Sequence, residues 1–125
     1  MKREAIVSAA GPKAIGPYSP AIRANGMLFI SGQLGVDPTT GELEQGVKAQ
    51  AERALKNLEA LLSASGLGIA DIAKTTIFLT SMADFATVNE VYAAHAVEPY
   101  PARSTIQVAA LPKGALVEIE AIAIC

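Results

Sequence analysis

With 125 residues, 51% of them hydrophobic, and a positive mean hydropathy, the chain can bury one core and is more apolar than a small monomer needs. Its 10 basic and 12 acidic residues leave a net charge of −2 with the lysines and arginines scattered, so no basic stripe exists to neutralise phosphates and a nucleic-acid module is disfavoured. The single cysteine, Cys125, and the single histidine, His95, exclude an intrachain disulfide and a Cys/His metal site, and no metal is expected.

The N-terminus has no apolar h-region, and no apolar run approaches the ~20 residues that span a bilayer. These features point to one cytoplasmic domain over residues 1–125, with surplus apolar surface directed into a homo-oligomer.

In chain order, residues 4–8 alternate weakly and predict an edge strand. Residues 11–20 hold three prolines and two glycines, which rules out a helix or central strand and predicts a loop. That loop carries Ile15 and Tyr18, apolar bodies that should pack onto something. Ala21–Ala24, Asn25-Gly26 and Met27–Gln33 predict a hairpin, because Asn-Gly supplies the two positive-φ positions of a type I′ turn. Residues 37–41 form a turn cluster.

The clearest helix runs over residues 46–65, with Val47, Ala51, Ala54, Leu55, Leu58, Leu61 and Leu62 on one stripe and Gly66 as its left-handed cap. Glu52 and Lys56 are expected to pair on its outer face. A strand over 74–80 is apolar on both faces. Ser81 and Asp84 resemble a capping box opening a second helix over 82–96, with Phe85, Val88, Tyr92 and Ala96 inward, stopped by Pro99 and Pro101. Two further strands are expected over 105–109 and 116–124.

This order predicts an α+β domain with both helices on one face of a mixed sheet. The central strands are apolar on both sides, so another subunit is expected on the second face.

The last strand concentrates the candidates for chemistry. Val117, Ile119, Ala121 and Ala123 should face the helices, leaving Glu118 and Glu120 on the other side among Ile122 and Ile124. A carboxylate in an apolar setting needs a partner or takes up a proton. Arg103, expected to open the strand adjacent to the glutamates, is the natural partner. Either it forms a structural ion pair there, or its planar fork grips a substrate carboxylate while a glutamate handles protons. Glu120 reads as structural and His95 as an ordinary helix-surface histidine. Ser31-Gly32 is either a close-packed bend or a hydroxyl and N–H offered to an anion. Tyr18 either packs or roofs a pocket. No nucleophile elbow or phosphate loop is present, so an enzyme here would work without a cofactor on a small carboxylate.

Five segments, Ala14–Ser19 (Ala-Ile-Gly-Pro-Tyr-Ser), Phe29–Leu34, Asp84–Tyr92, Pro101–Ser104 and Val108–Gly114 with Glu118–Ala123, together resemble the RidA (YjgF) family of reactive-intermediate imine/enamine deaminases. The resemblance implies a chorismate-mutase-like fold in a homotrimer with a central barrel and inter-subunit clefts. It also implies hydrolysis of 2-aminoacrylate and 2-aminocrotonate, or their imine tautomers, to 2-oxo acids and ammonia. Pyridoxal-phosphate-dependent dehydratases would supply these substrates.

By position, Arg103 would hold the substrate carboxylate and Glu118 would handle water and protons. Ser31 and Gly32 would line the pocket, Tyr18 would close it from the neighbouring subunit, and Asn89 would support it. Thr105 stands where many members carry cysteine, a departure that removes any thiol role but not the hydrolytic one. The alternatives are a non-catalytic 2-oxo acid sensor and, against the acidic balance, a ribonuclease or translation inhibitor.

Overall fold

Asn25 and Gly26 adopt φ of 52° and 74°, and the tight turn they make joins the first long antiparallel pair. The computed structural model describes residues 2–125. In chain order the elements are β1 (Glu4–Ile6), β2 (Ala21–Ala24), β3 (Met27–Leu34), α1 (Val47–Ala64), β4 (Ile72–Leu79), α2 (Phe85–His95), β5 (Ala102–Gln107) and β6 (Val117–Ile124). The strands form one sheet in the order β1-β2-β3-β6-β4-β5. Only β4 and β5 are parallel, as the α2 crossover between them requires; all other neighbours are antiparallel.

Both helices lie on one face, as expected. Leu55, Leu58, Leu61 and Leu62 of α1 are buried against Leu28, Ile30, Ile77 and Leu79 and against the odd positions of β6, Val117 to Ala123. Each leucine so buried contributes about 1.5–3 kcal/mol. Gly66, at φ 76°, ends α1, and the Leu67 N–H donates back to the Leu62 carbonyl. No helix of the described residues lies on the opposite face, where Phe29, Ile106 and Ile124 remain 41, 46 and 48% exposed. The apolar second face inferred from sequence is therefore real.

Several expectations are corrected. The first strand stops at Ile6, short of Ser8. The start of the second helix is a 3-10 turn over Met82–Asp84, and the α-helix follows from Phe85. Ser81 accepts from the Ala83 N–H, so the capping box is half made, the short Asp84 side chain making no cap contact. Phe85 lies largely outside the core and Val91 takes its place. The fifth strand begins at Ala102, three residues early, because its ladder to β4 starts at the Lys74–Ala102 pair. It lies at the sheet edge, with β4 between it and β6; Arg103 does not open a strand next to the glutamates.

Two buried amides on α1 fix the β3–α1 connection. Asn57 donates to the carbonyls of Leu34 and Val36. Gln50 donates to the Glu44 carbonyl and accepts from the Leu116 N–H just before β6. The connection approaches α1 so closely that a Cβ on Gly35 would sit 2.4 Å from the Gln50 Cα. Backbone cannot yield as a side chain can. Gly35→Ala is expected to cost about 3 kcal/mol, at the upper end of overpacking penalties, read as a lowered urea midpoint with an unchanged slope.

Candidate active site

The proline-rich loop folds back over the end of β3. The Ser31 N–H donates to the Pro20 carbonyl and the Ser31 hydroxyl donates to the Ser19 carbonyl at 2.7 Å. Of the two readings open for Ser31-Gly32, a close-packed bend or a hydroxyl and N–H offered to an anion, this bond commits the hydroxyl proton to the loop. Between Ile30 and Gln33 the β3–β6 ladder shifts register, a bulge that re-aims Ser31 and Gly32.

The loop, the bulge and β6 enclose a groove of about 880 Å³, lined among others by Ile15, Tyr18, Ser31, Gly32, Lys113 and Glu118. Glu118 projects from β6 on the open side of the sheet, between Leu34 and Phe78 in the ladders. Its carboxyl lies directly on Gly32, where a Cβ would meet the Glu118 Cδ at 2.7 Å. Glycine here makes room for the carboxylate. Burial, joined by repulsion from Glu120, raises the Glu118 pKa above the ordinary carboxylate value. Glu120 itself is exposed on the same side, opposite Thr76.

Arg103 is elsewhere. In the ladder it pairs with the buried Thr75, which puts it on the helix side, under α2. Its Nη1 donates to the Asn89 Oδ1 at 2.9 Å, and its guanidinium stands 5.0 Å from the Tyr92 ring centre and 5.7 Å from that of Phe85. No salt bridge to Arg103 occurs among the described residues. Two residues along the same face, the Thr105 hydroxyl is buried without a hydrogen-bond partner.

Within one chain the structure thus brings together Tyr18, Ser31, Gly32 and Glu118, and separately Arg103, Asn89 and Thr105. It does not bring Arg103 to Glu118 or Glu120, so the intrachain ion pair is excluded. Tyr18 and Glu118 line the same groove of one chain. No cluster of three or more His, Cys, Asp or Glu able to hold a metal occurs among the described residues. No helix among them is long and apolar enough to cross a membrane.

The profile of the family described as Endoribonuclease L-PSP matches residues 8–125. The chain belongs to this family, the RidA (YjgF) family. A human relative named 2-iminobutanoate/2-iminopropanoate deaminase is 47% identical, over 98% of this chain and 90% of its own. The crystal structure of RidA from a Psychrobacter species superposes with a TM-score of 0.95 at 48% identity, covering 98% of this chain and 99% of that one. E. coli TdcF, solved with bound serine, superposes at 0.91 with 45% identity and 98% coverage of both chains. The RidA-like α+β fold expected from sequence is the one observed.

Sequence reasoning missed two features. Lys113, in the turn before β6, has a left-handed backbone at φ 61° on the groove wall, and only its neighbour Gly114 hinted at it. His95 is not an ordinary surface histidine: each ring nitrogen meets a glutamate of α1, at 2.8 Å, and no spacing within α2 could announce that.

The Glu118 carboxyl carbon, followed by NMR, is expected to titrate above the ordinary glutamate value of 4.5. Glu120→Gln should lower the Glu118 midpoint without bringing it fully to the ordinary value, because desolvation is the larger cause.

Proposed function

We propose that this chain hydrolyses 2-iminopropanoate, 2-iminobutanoate and their enamine tautomers to 2-oxo acids and ammonia, at sites shared between the subunits of a homotrimer. One observation carries the reading. Glu118 lies in a groove whose lining cations are the lysines Lys13 and Lys113, neither of which offers the planar fork that grips a carboxylate, while Arg103, on the other face of the sheet, has no acid paired with it among the described residues; in the proposed site each supplies half. Two copies related head to tail, one giving Glu118 and Tyr18 and the next giving Arg103, would complete it. A heterologous contact of this kind closes into a ring. The open sheet faces, with Phe29, Ile106 and Ile124, would line the central barrel. The name of the human relative supports the same reaction.

The chemistry follows from the groups. Arg103, held flat by Asn89 and the Tyr92 ring, takes the substrate carboxylate in its fork, and the Thr105 hydroxyl adds a donor. Orientation by a fixed fork is itself a source of rate. Glu118, with its pKa raised toward the working range, takes a proton from water as oxygen adds to the C=N carbon and returns one to nitrogen as ammonia leaves. Gly32 lets the carboxylate reach the substrate, and Tyr18 roofs the groove. Nothing in this sequence of steps calls for a cofactor. A pure 2-oxo acid receptor would gain nothing from a carboxylate facing its anion, and that favours catalysis over sensing. The reaction belongs in the cytoplasm beside the pyridoxal-phosphate-dependent dehydratases that release such imines.

The decisive experiment follows ammonia and 2-oxo acid release in an assay coupled to a threonine dehydratase. Arg103→Ala and Glu118→Gln should each lower the acceleration by about 100-fold or more. Refolded together as mixed trimers they should recover about a quarter of wild-type activity, because one interface in four then holds both native groups. Recovery near zero would put both groups in one subunit. A monomer by light scattering would remove the shared site, and tight 2-oxobutanoate binding without acceleration would replace hydrolysis with sensing.

A further inference from the structure

The side-chain cluster farthest from any role so far is the one around His95, the last residue of α2. Its Nδ1 meets the Glu59 Oε1 and its Nε2 meets the Glu52 Oε2, both at 2.8 Å. Glu52 is thereby engaged across helices, and the Glu52–Lys56 pair expected from sequence does not form among the described residues. Ionised carboxylates only accept hydrogen bonds, so a ring that satisfies both must donate from both nitrogens, which makes it an imidazolium. The other residues gathered here, Leu55, Leu58, Ile69, Ile72, Thr75 and Pro101, carry no ionisable group, and the Tyr92 phenol is held by the Thr75 hydroxyl. Lys56 lies between the two glutamates on α1 and is exposed.

This clamp sits on the helix that holds Arg103. Tyr92, one turn before His95, stacks on the guanidinium, and Asn89, a turn earlier, accepts from it. α2 has 11 residues and buries only Val88, Val91 and Tyr92, so apolar packing alone grips it weakly. We propose that His95 is a positioning residue, whose imidazolium bridge to Glu52 and Glu59 fixes α2 against α1 and so sets where Asn89 and Tyr92 present the Arg103 guanidinium to a carboxylate ligand. The inference rests on Arg103 being the carboxylate anchor.

The bridge gives the anchor a dependence on pH. Burial pulls the His95 pKa down, but hydrogen bonds to Glu59 and Glu52 and their charges outweigh it, and the net effect is to raise the pKa above 6.5. A histidine raised in the folded state stabilises the fold fully below its unfolded value, and that contribution is lost as pH rises through the folded value. The clamp is closed at slightly acid pH and opens on the alkaline side.

The test is calorimetric binding of 2-oxobutanoate, whose carboxylate stays ionised throughout, between about pH 6 and about pH 8.5, the range where histidine alone among ordinary side chains changes charge. Wild type should weaken by about tenfold across this range, less than the ~100-fold that a 1 Å misplacement can cost. His95→Gln should bind at the weak level with a flat profile. His95→Lys, which keeps a cation throughout, should bind tightly with a flat profile, a rescue that a merely space-filling role would not give. Because His95 is the only histidine, its ring signals can be assigned directly and should titrate above 6.5. A His95→Gln profile that superposes on wild type, or a ring that titrates at or below 6.5, overturns the inference. Arg103→Ala separates the two readings. If it binds 2-oxobutanoate as wild type does, the anchor itself is wrong. If it loses binding while His95→Gln matches wild type, the anchor stands and the positioning role falls.

Discussion

Everything in this molecule depends on the alternation of side chains across one sheet. β6 runs between β3 and β4, and its odd positions are committed to the helices by Val117, Ile119, Ala121 and Ala123, all nearly inaccessible. Once those four are inside, Glu118 has no choice of side. The same parity, carried through β4 into β5, sends Arg103 the other way, under α2. A one-residue slip in either ladder would put charge into the core, so the separation of acid and base is as secure as the core itself. The separation of Glu118 from Arg103 across the sheet is thus a product of packing.

The polar framework around the sheet then does the positioning. Ser31 ties the proline-rich loop to β3, and Gln50 and Asn57 tie the β3–α1 connection to both β3 and β6. A buried hydrogen bond of this kind contributes about 1 kcal/mol when made and costs more when one partner is lost. On the other side Asn89, Tyr92 and Thr75 make a shorter chain of contacts to Arg103. The groove side rests on the strongest-packed part of the fold, while the arginine side rests on a short helix fastened at its end.

Much of this was legible from the residues, and the pattern of success has a physical cause. Local chemistry was read correctly: the Asn25-Gly26 turn, the Gly66 cap and the inward stripe of α1 depend on neighbours in sequence. The two-sided apolar sheet was also legible, since period-2 patterns report both faces. The order of strands was not, and placing Arg103 beside the glutamates was the price. Nothing in residues 102–107 says that β4 intervenes. The tie made by Ser31 was not legible because its partner, the Ser19 carbonyl, is a backbone atom that carries no sequence signal. His95 failed for the related reason that Glu52 and Glu59 belong to a helix more than 30 residues away. Relations between elements were lost wherever one side of the pair had no pattern of its own.

The place of β5 at the sheet margin bears on how the protein is made. Among the described residues no strand lies beside its outer edge, and Ile106 stands exposed next to an apolar sheet face that includes Phe29 and Ile124. Such an edge templates non-native strand pairing, and natural edges are usually blunted by charge, proline or a bulge. β5 has only Arg103 as a charged residue, and it points beneath α2. A newly synthesised chain therefore presents an adhesive margin from the moment its sheet forms. Folding has to outrun mispairing along that margin, and the yield of native protein is set by that race.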